Sequence, residues 1–186
     1  MRSGCDRAKM VIIKKRVGGL NEASLARFVR QAARAVGLRG SVDVLVTNDR
    51  DMKTLNLRFR GMNTPTDVLS FSPLSGLPTD FAGDIAISAD MAARNATRLE
   101  HSAEQETKIL VLHGLMHLAG YDHESDDGSM AREEQRLRRS LHLPAGLIER
   151  SGKTMVRADE RPRKQVKNRT RVEGRSRAAA SQRHAQ

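Results

Sequence analysis

The stretch from His113 to His123 (His-Gly-Leu-Met-His-Leu-Ala-Gly-Tyr-Asp-His) constrains this chain more than any other. It holds three of the six histidines, at spacings of four and then six. On an α-helix, which turns through 3.6 residues, His113 and His117 project from one face with imidazoles close enough to share a metal. Gly120 then ends the helix, because glycine takes the left-handed conformation at little steric cost, and the chain doubles back to bring in His123. Three neutral imidazoles leave a divalent ion its full charge and a fourth position for water, the pattern of catalytic zinc sites. A structural site would want four protein ligands, usually including thiolates, and Cys5 is the only cysteine.

The layout H-x-x-x-H-x-x-G-x-x-H is shared with the metzincin peptidases, which carry a glutamate general base after the first histidine. Here that position is Gly114, which argues against ordinary peptide hydrolysis. The full string H-G-x-x-H-L-x-G-Y-D-H resembles the signature of the YbeY family, bacterial metal-dependent endoribonucleases associated with ribosomal RNA maturation. Two further segments are similar to that family. One is L-N-x-x-aromatic-R-G at Leu55 to Gly61, followed by P-T-D-V-L-S-F at Pro65 to Phe71, and the other is the G-D-I-x-I-S pattern at Gly83 to Ser88. The chain departs from the family in having Ser72 before Pro73, where the family usually has proline directly after the phenylalanine.

The resemblance implies an α+β fold: a small mixed four-stranded sheet packed with about five helices, and a three-histidine metal site at a helix end bordering a cleft. It implies RNA as substrate, in maturation of the 16S rRNA 3′ end, ribosome biogenesis and 70S ribosome quality control. It also implies contact with the small ribosomal subunit, through a ribosomal protein and an assembly GTPase. It puts His113 among the residues required for catalysis and Arg60 on the family's characteristic arginine. A guanidinium suits that place because it forms paired hydrogen bonds to phosphate oxygens.

The charge is unevenly distributed. Of the net +11, +9 falls between Arg150 and Gln186, where twelve Lys or Arg face three acidic residues. We therefore expect a domain over residues 1–150, nearly neutral, and a basic tail over 151–186. The tail is too poor in apolar residues to offset chain entropy and is expected to be disordered. Arg161, Arg163, Lys164, Lys167, Arg169 and Arg171 suit it to tracking RNA phosphates, but it has no aromatic ring on which bases could stack. A single cysteine excludes an internal disulfide and suits a reducing cytoplasm. No apolar run approaches the ~20 residues of a membrane span, and no signal-peptide core stands at the N-terminus.

Along the chain, Lys9 to Lys14 reads as a first strand and Asn21 to Val36 as a helix capped by Asn21 and stopped by Gly37. Ser41 to Thr47 alternates as a strand, and Thr47 or Asn48 then caps a helix to about Phe59. Thr66 to Phe71 and Ala82 to Ser88 read as strands, and Ser88 caps a helix to about Leu99. Ser102 with Gln105 forms a capping box opening the histidine helix. A last helix runs from about Gly128 to Leu141 with Met130, Leu137 and Leu141 inward. Asp122 and Asp84 are candidates for orienting a ligand imidazole from behind, Asp84 equally for a strand-end carboxylate facing water. His101 and His142 read as ordinary.

Spacing and composition alone reach a three-histidine hydrolytic metal site; with the resemblance they imply metal-assisted phosphodiester hydrolysis, with one Zn2+ per chain on His113, His117 and His123 and with Arg60 neutralising charge on the phosphoryl group. Two alternatives are a non-catalytic ribosome-assembly factor with a structural metal, and a metal-dependent hydrolase of another substrate.

Overall fold

The structure, a computed structural model, describes residues 11–73, 80–122, 127–144 and 156–157. The element order is β1 (Val11–Ile13), α1 (Glu22–Val36), β2 (Ser41–Thr47), α2 (Asp49–Arg60), β3 (Val68–Ser72), β4 (Phe81–Ser88), α3 (Ala89–Arg98), α4 (Ala103–Leu118), α5 (Ser129–Ser140) and β5 (Val156–Arg157). It is the expected α+β arrangement of four principal strands and five helices.

Local chemistry fixes the helix starts. Asn21 Oδ1 accepts from the Ser24 N–H at 2.9 Å, and Asn48 Oδ1 accepts from the Asp51 N–H at 2.9 Å. Ser88 Oγ accepts from the Met91 N–H at 3.0 Å. At α4 the capping box is complete: Ser102 Oγ accepts from the Gln105 N–H at 3.1 Å, and Gln105 Oε1 accepts from the Ser102 N–H at 2.9 Å. Each cap satisfies an otherwise orphaned backbone donor. Gly37 and Gly61 close α1 and α2 in the left-handed conformation.

The strand order is β1-β2-β4-β3-β5. β1, β2 and β4 run parallel, β3 is antiparallel to β4, and β5 pairs parallel with Phe71 and Ser72 at the edge. Val156 and Arg157, expected to belong to a disordered tail, are therefore strand-paired; the rest of that tail and the expected domain end near residue 150 lie outside the described residues.

Alternation along the strands divides the core into two layers. Ile85 and Ile87 of β4, with Val42, Val44 and Val46 of β2, pack with α1 and α4. Leu69 and Ala86 face the other way, onto Met52 of α2. The larger layer is centred on α4, where every residue from Ile109 to His117 is buried. Such a helix, apolar on nearly all sides, is stable only inside a protein. Its approach to the sheet is close: a Cβ on Gly114 would lie 2.9 Å from Ser70 Oγ and 3.1 Å from two carbons of Ile85.

Candidate metal centre

α4 carries His113 and His117 one turn apart in its last two turns, 7% and 3% exposed. Their Nε2 atoms are 3.1 Å apart and their rings meet edge-on, with centroids 4.7 Å apart. The other ring nitrogens are held by different elements. His113 Nδ1–H donates to Glu134 Oε2 at 3.0 Å, reaching across to α5. His117 Nδ1–H donates to the carbonyl of Tyr121 at 2.9 Å, just beyond the turn that Gly120 makes at φ 94°.

These two hydrogen bonds set the tautomers. A carboxylate and a carbonyl only accept, so the proton sits on Nδ1 in both neutral rings and each Nε2 presents a lone pair. Two lone pairs facing one another at 3.1 Å repel unless a positive charge lies between them, either a metal ion or a proton on one Nε2. Two imidazoles on one tetrahedral zinc, with Zn–N near 2.0–2.1 Å, hold their nitrogens about 3.3 Å apart. The donor set therefore fits a metal with Nε2 ligation.

Glu134 anchors the arrangement. Its carboxylate also accepts from Arg138 Nε at 2.9 Å and from the same guanidinium's second nitrogen, and Arg138 is itself buried. Burial opposes the charge of Glu134, but the hydrogen bond from His113 and the hydrogen bond and charge of Arg138 outweigh it, and the carboxyl is held below its ordinary range. It stays ionised to receive the imidazole proton, as partners of metal-bound histidines do.

The other expected residues fall as follows. His123 lies outside the described residues, as do Arg161, Arg163, Lys164, Lys167, Arg169 and Arg171. Among the described residues no group of three or more His, Cys, Asp or Glu is arranged to hold a metal, so the expected triad is seen only as its two helical members. Asp122 is half-buried directly after Tyr121. Asp84 is exposed, and alternation along β4 turns it toward the α2 side, away from Ile85 and the histidine helix. The supports at the two helical imidazoles' Nδ1 atoms are Glu134 and the Tyr121 carbonyl; a role of Asp122 or Asp84 toward His123 lies outside the described residues. Arg60 is the last residue of α2 and half-buried. It stands at the end of the helix packed against the other face of the sheet. A cation there also complements the α2 C-terminus.

Glu134 is the residue the sequence reading missed. Its signal was its position: it lies on the inward stripe of α5 between Met130 and Leu137, with Arg138 four residues on, and a carboxylate on an apolar stripe needs a buried partner.

Fold and site together define an α+β protein that presents a paired-imidazole centre from a buried helix. Comparison with known proteins names the group: the family model Endoribonuclease YbeY matches residues 9–142. Endoribonuclease YbeY of Koribacter versatilis is 46% identical over 155 residues, covering 83% of this chain and all of that protein. That of Solibacter usitatus is 43% identical over 140 residues, covering 75% and 92%. The solution structure of TM1509 from Thermotoga maritima superposes with a TM-score of 0.51 at 29% identity, covering 71% of this chain and 89% of that one. The chain belongs to the YbeY endoribonuclease family.

Proposed function

We propose that this protein is a zinc-dependent endoribonuclease that hydrolyses phosphodiester bonds in single-stranded RNA, acting in 16S rRNA 3′-end maturation, ribosome biogenesis and ribosome quality control in the cytoplasm. The observation that carries the metal is the pair of Nε2 lone pairs converging at 3.1 Å, each fixed by an acceptor on the opposite ring nitrogen. Family membership carries the reaction.

His113, His117 and His123 would hold the ion, one per chain. When bound, it supplies the Lewis acidity that makes water a nucleophile at neutral pH. Glu134 and the Tyr121 carbonyl keep both helical imidazoles in the ligating tautomer and orientation. Arg60 binds a phosphate of the substrate and offsets the charge that grows on it. Position 114 supplies no general base: it faces the sheet, where a Cβ would already crowd Ser70 and Ile85. Partners on this reading are ribosomal RNA and the small subunit, with a small-subunit ribosomal protein and an assembly GTPase. Among the described residues no helix is long and apolar enough to cross a membrane.

The test is to offer the metal-loaded protein one RNA sequence as a single strand and as a duplex, and then precursor small-subunit particles. We expect cleavage of the single strand, loss on chelation, and shortening of the 16S 3′ end. Stoichiometric metal with no cleavage of any of these would instead support an assembly factor.

A further inference from the structure

Among the described residues, three of the four exposed large apolar side chains lie together in the last turn of α2 and the loop after it, the fourth being Ile12. Leu57 and Met62 are each 49% exposed and Phe59 is 40% exposed. Phe59 is not loose. Its ring packs edge-on against Phe71 of β3, with centroids 4.9 Å apart, and the guanidinium of Arg58 lies over it, 5.4 Å from the centroid. The loop is tied down as well: the buried Asn56 donates its amide to the Thr64 carbonyl at 2.8 Å, and the Met62 N–H reaches the Asn56 carbonyl at 3.3 Å.

The charges next to the ring on α2 have one sign, while Asp84 stands across from Phe71 on the neighbouring strand. Arg58 and Arg60 flank Phe59, and neither is paired with a carboxylate among the described residues. The helix's acidic residues, Asp49 and Asp51, are a full helix length away at its start, where they bond Ser88, Arg94 and Thr47. A protein partner recognised through Leu57 and Met62 would need carboxylates to answer these arginines. Single-stranded RNA answers both features at once, with a phosphate for each guanidinium and a base for the ring.

We propose that Phe59, braced by Phe71 and overlaid by Arg58, is a stacking platform for an unpaired base of the RNA substrate, which makes it a substrate-positioning residue. This deepens the endoribonuclease reading and rests on it. A base would take the place of the Arg58 guanidinium on the ring or stack on that guanidinium's own plane. Duplex RNA, with its bases stacked inside, has none to offer. β3 links the platform to the metal centre: Ser70 lies under Gly114 beside His113, and its neighbour Phe71 supports Phe59 on the opposite face.

The chain contains no tryptophan, so Phe59→Trp places a lone indole at the platform. With the full-length, metal-loaded protein and a cleavage-resistant oligoadenylate of about 12 nucleotides, within the span a single-strand groove covers, we expect indole fluorescence to be quenched on binding. The same backbone lacking bases should quench little. Phe59→Leu, which keeps apolar packing on Phe71 but removes the ring, should bind the oligoadenylate on the order of tenfold more weakly and raise KM with kcat nearly unchanged. Its salt dependence of binding should not change, since the substitution removes no charge. Normal affinity and KM in Phe59→Leu, or quenching that is the same with and without bases, would overturn the platform and leave the patch to a protein partner. If the wild type neither binds nor cleaves RNA, the endoribonuclease reading itself fails, which is a separate result.

Discussion

Ser70 Oγ donates to the carbonyl of Gly114 at 3.2 Å, and this hydrogen bond ties the edge of the sheet to the turn of α4 that carries His113. It also explains why glycine stands where the metzincins have a glutamate. A side chain at 114 points into β3 and β4, not toward the imidazoles.

Gly114→Ala should therefore destabilise the protein, although alanine is the better helix former. Overpacking against Ser70 and Ile85 costs about 1–3 kcal/mol, and helix propensity returns up to ~1 kcal/mol. We expect a net loss of about 1 kcal/mol, seen as a fall of about 2–4 °C in thermal midpoint for a chain of this size. Ser70→Ala in the same background should recover part of it. Gly114→Glu should fail to fold and gain no peptidase activity.

Replacing Glu134 tests its support of the site. Glu134→Gln leaves an oxygen to accept from His113 but removes the charge, and metal affinity should fall about 10- to 100-fold, measured by competition with a chromogenic chelator. Glu134→Ala also strands the buried Arg138, and we expect it to lose about 3–5 kcal/mol of stability in denaturant unfolding. Unchanged metal affinity in both variants would show that Glu134 does not orient His113.

How much of this is legible in the sequence depends on the range of each interaction. Asn21, Ser88 and Ser102 can be read as caps because a cap and the N–H it serves lie three residues apart. The pairing of His113 with His117 is legible for the same reason, since both lie on one helix. Glu134 is legible only as a carboxylate on the inward stripe of α5; its partner is not, because the bond to His113 crosses from α5 to α4. Nor does spacing give the order β1-β2-β4-β3, which is fixed by the layers packed on the sheet. Gly114 reads from sequence only as the lack of a base; its close fit to Ser70 and Ile85 is a tertiary fact.

Arg60→Ala separates a role in the reaction from a role at the end of α2. As a phosphate-binding group, Arg60 should matter by about 100- to 1,000-fold in cleavage, with metal content and melting temperature nearly unchanged. As a helix-end cation alone, it should cost less than about 1 kcal/mol of stability and leave cleavage intact.

Removing residues 158–186, which spares the Val156–Arg157 strand, should weaken RNA binding and flatten its dependence on salt. The slope should fall by about 0.7 for each phosphate of a single strand that the tail no longer neutralises, while metal content is unchanged. An identical slope in the truncated protein would show that the tail does not touch RNA.

The most direct test of the account is RNA cleavage by the wild type and His117→Ala in parallel, with metal determined on both samples and folding checked by circular dichroism. We predict about one metal per chain and cleavage of single-stranded RNA in the wild type, with neither in a folded variant. A folded His117→Ala protein that cleaves RNA at the wild-type rate would contradict it.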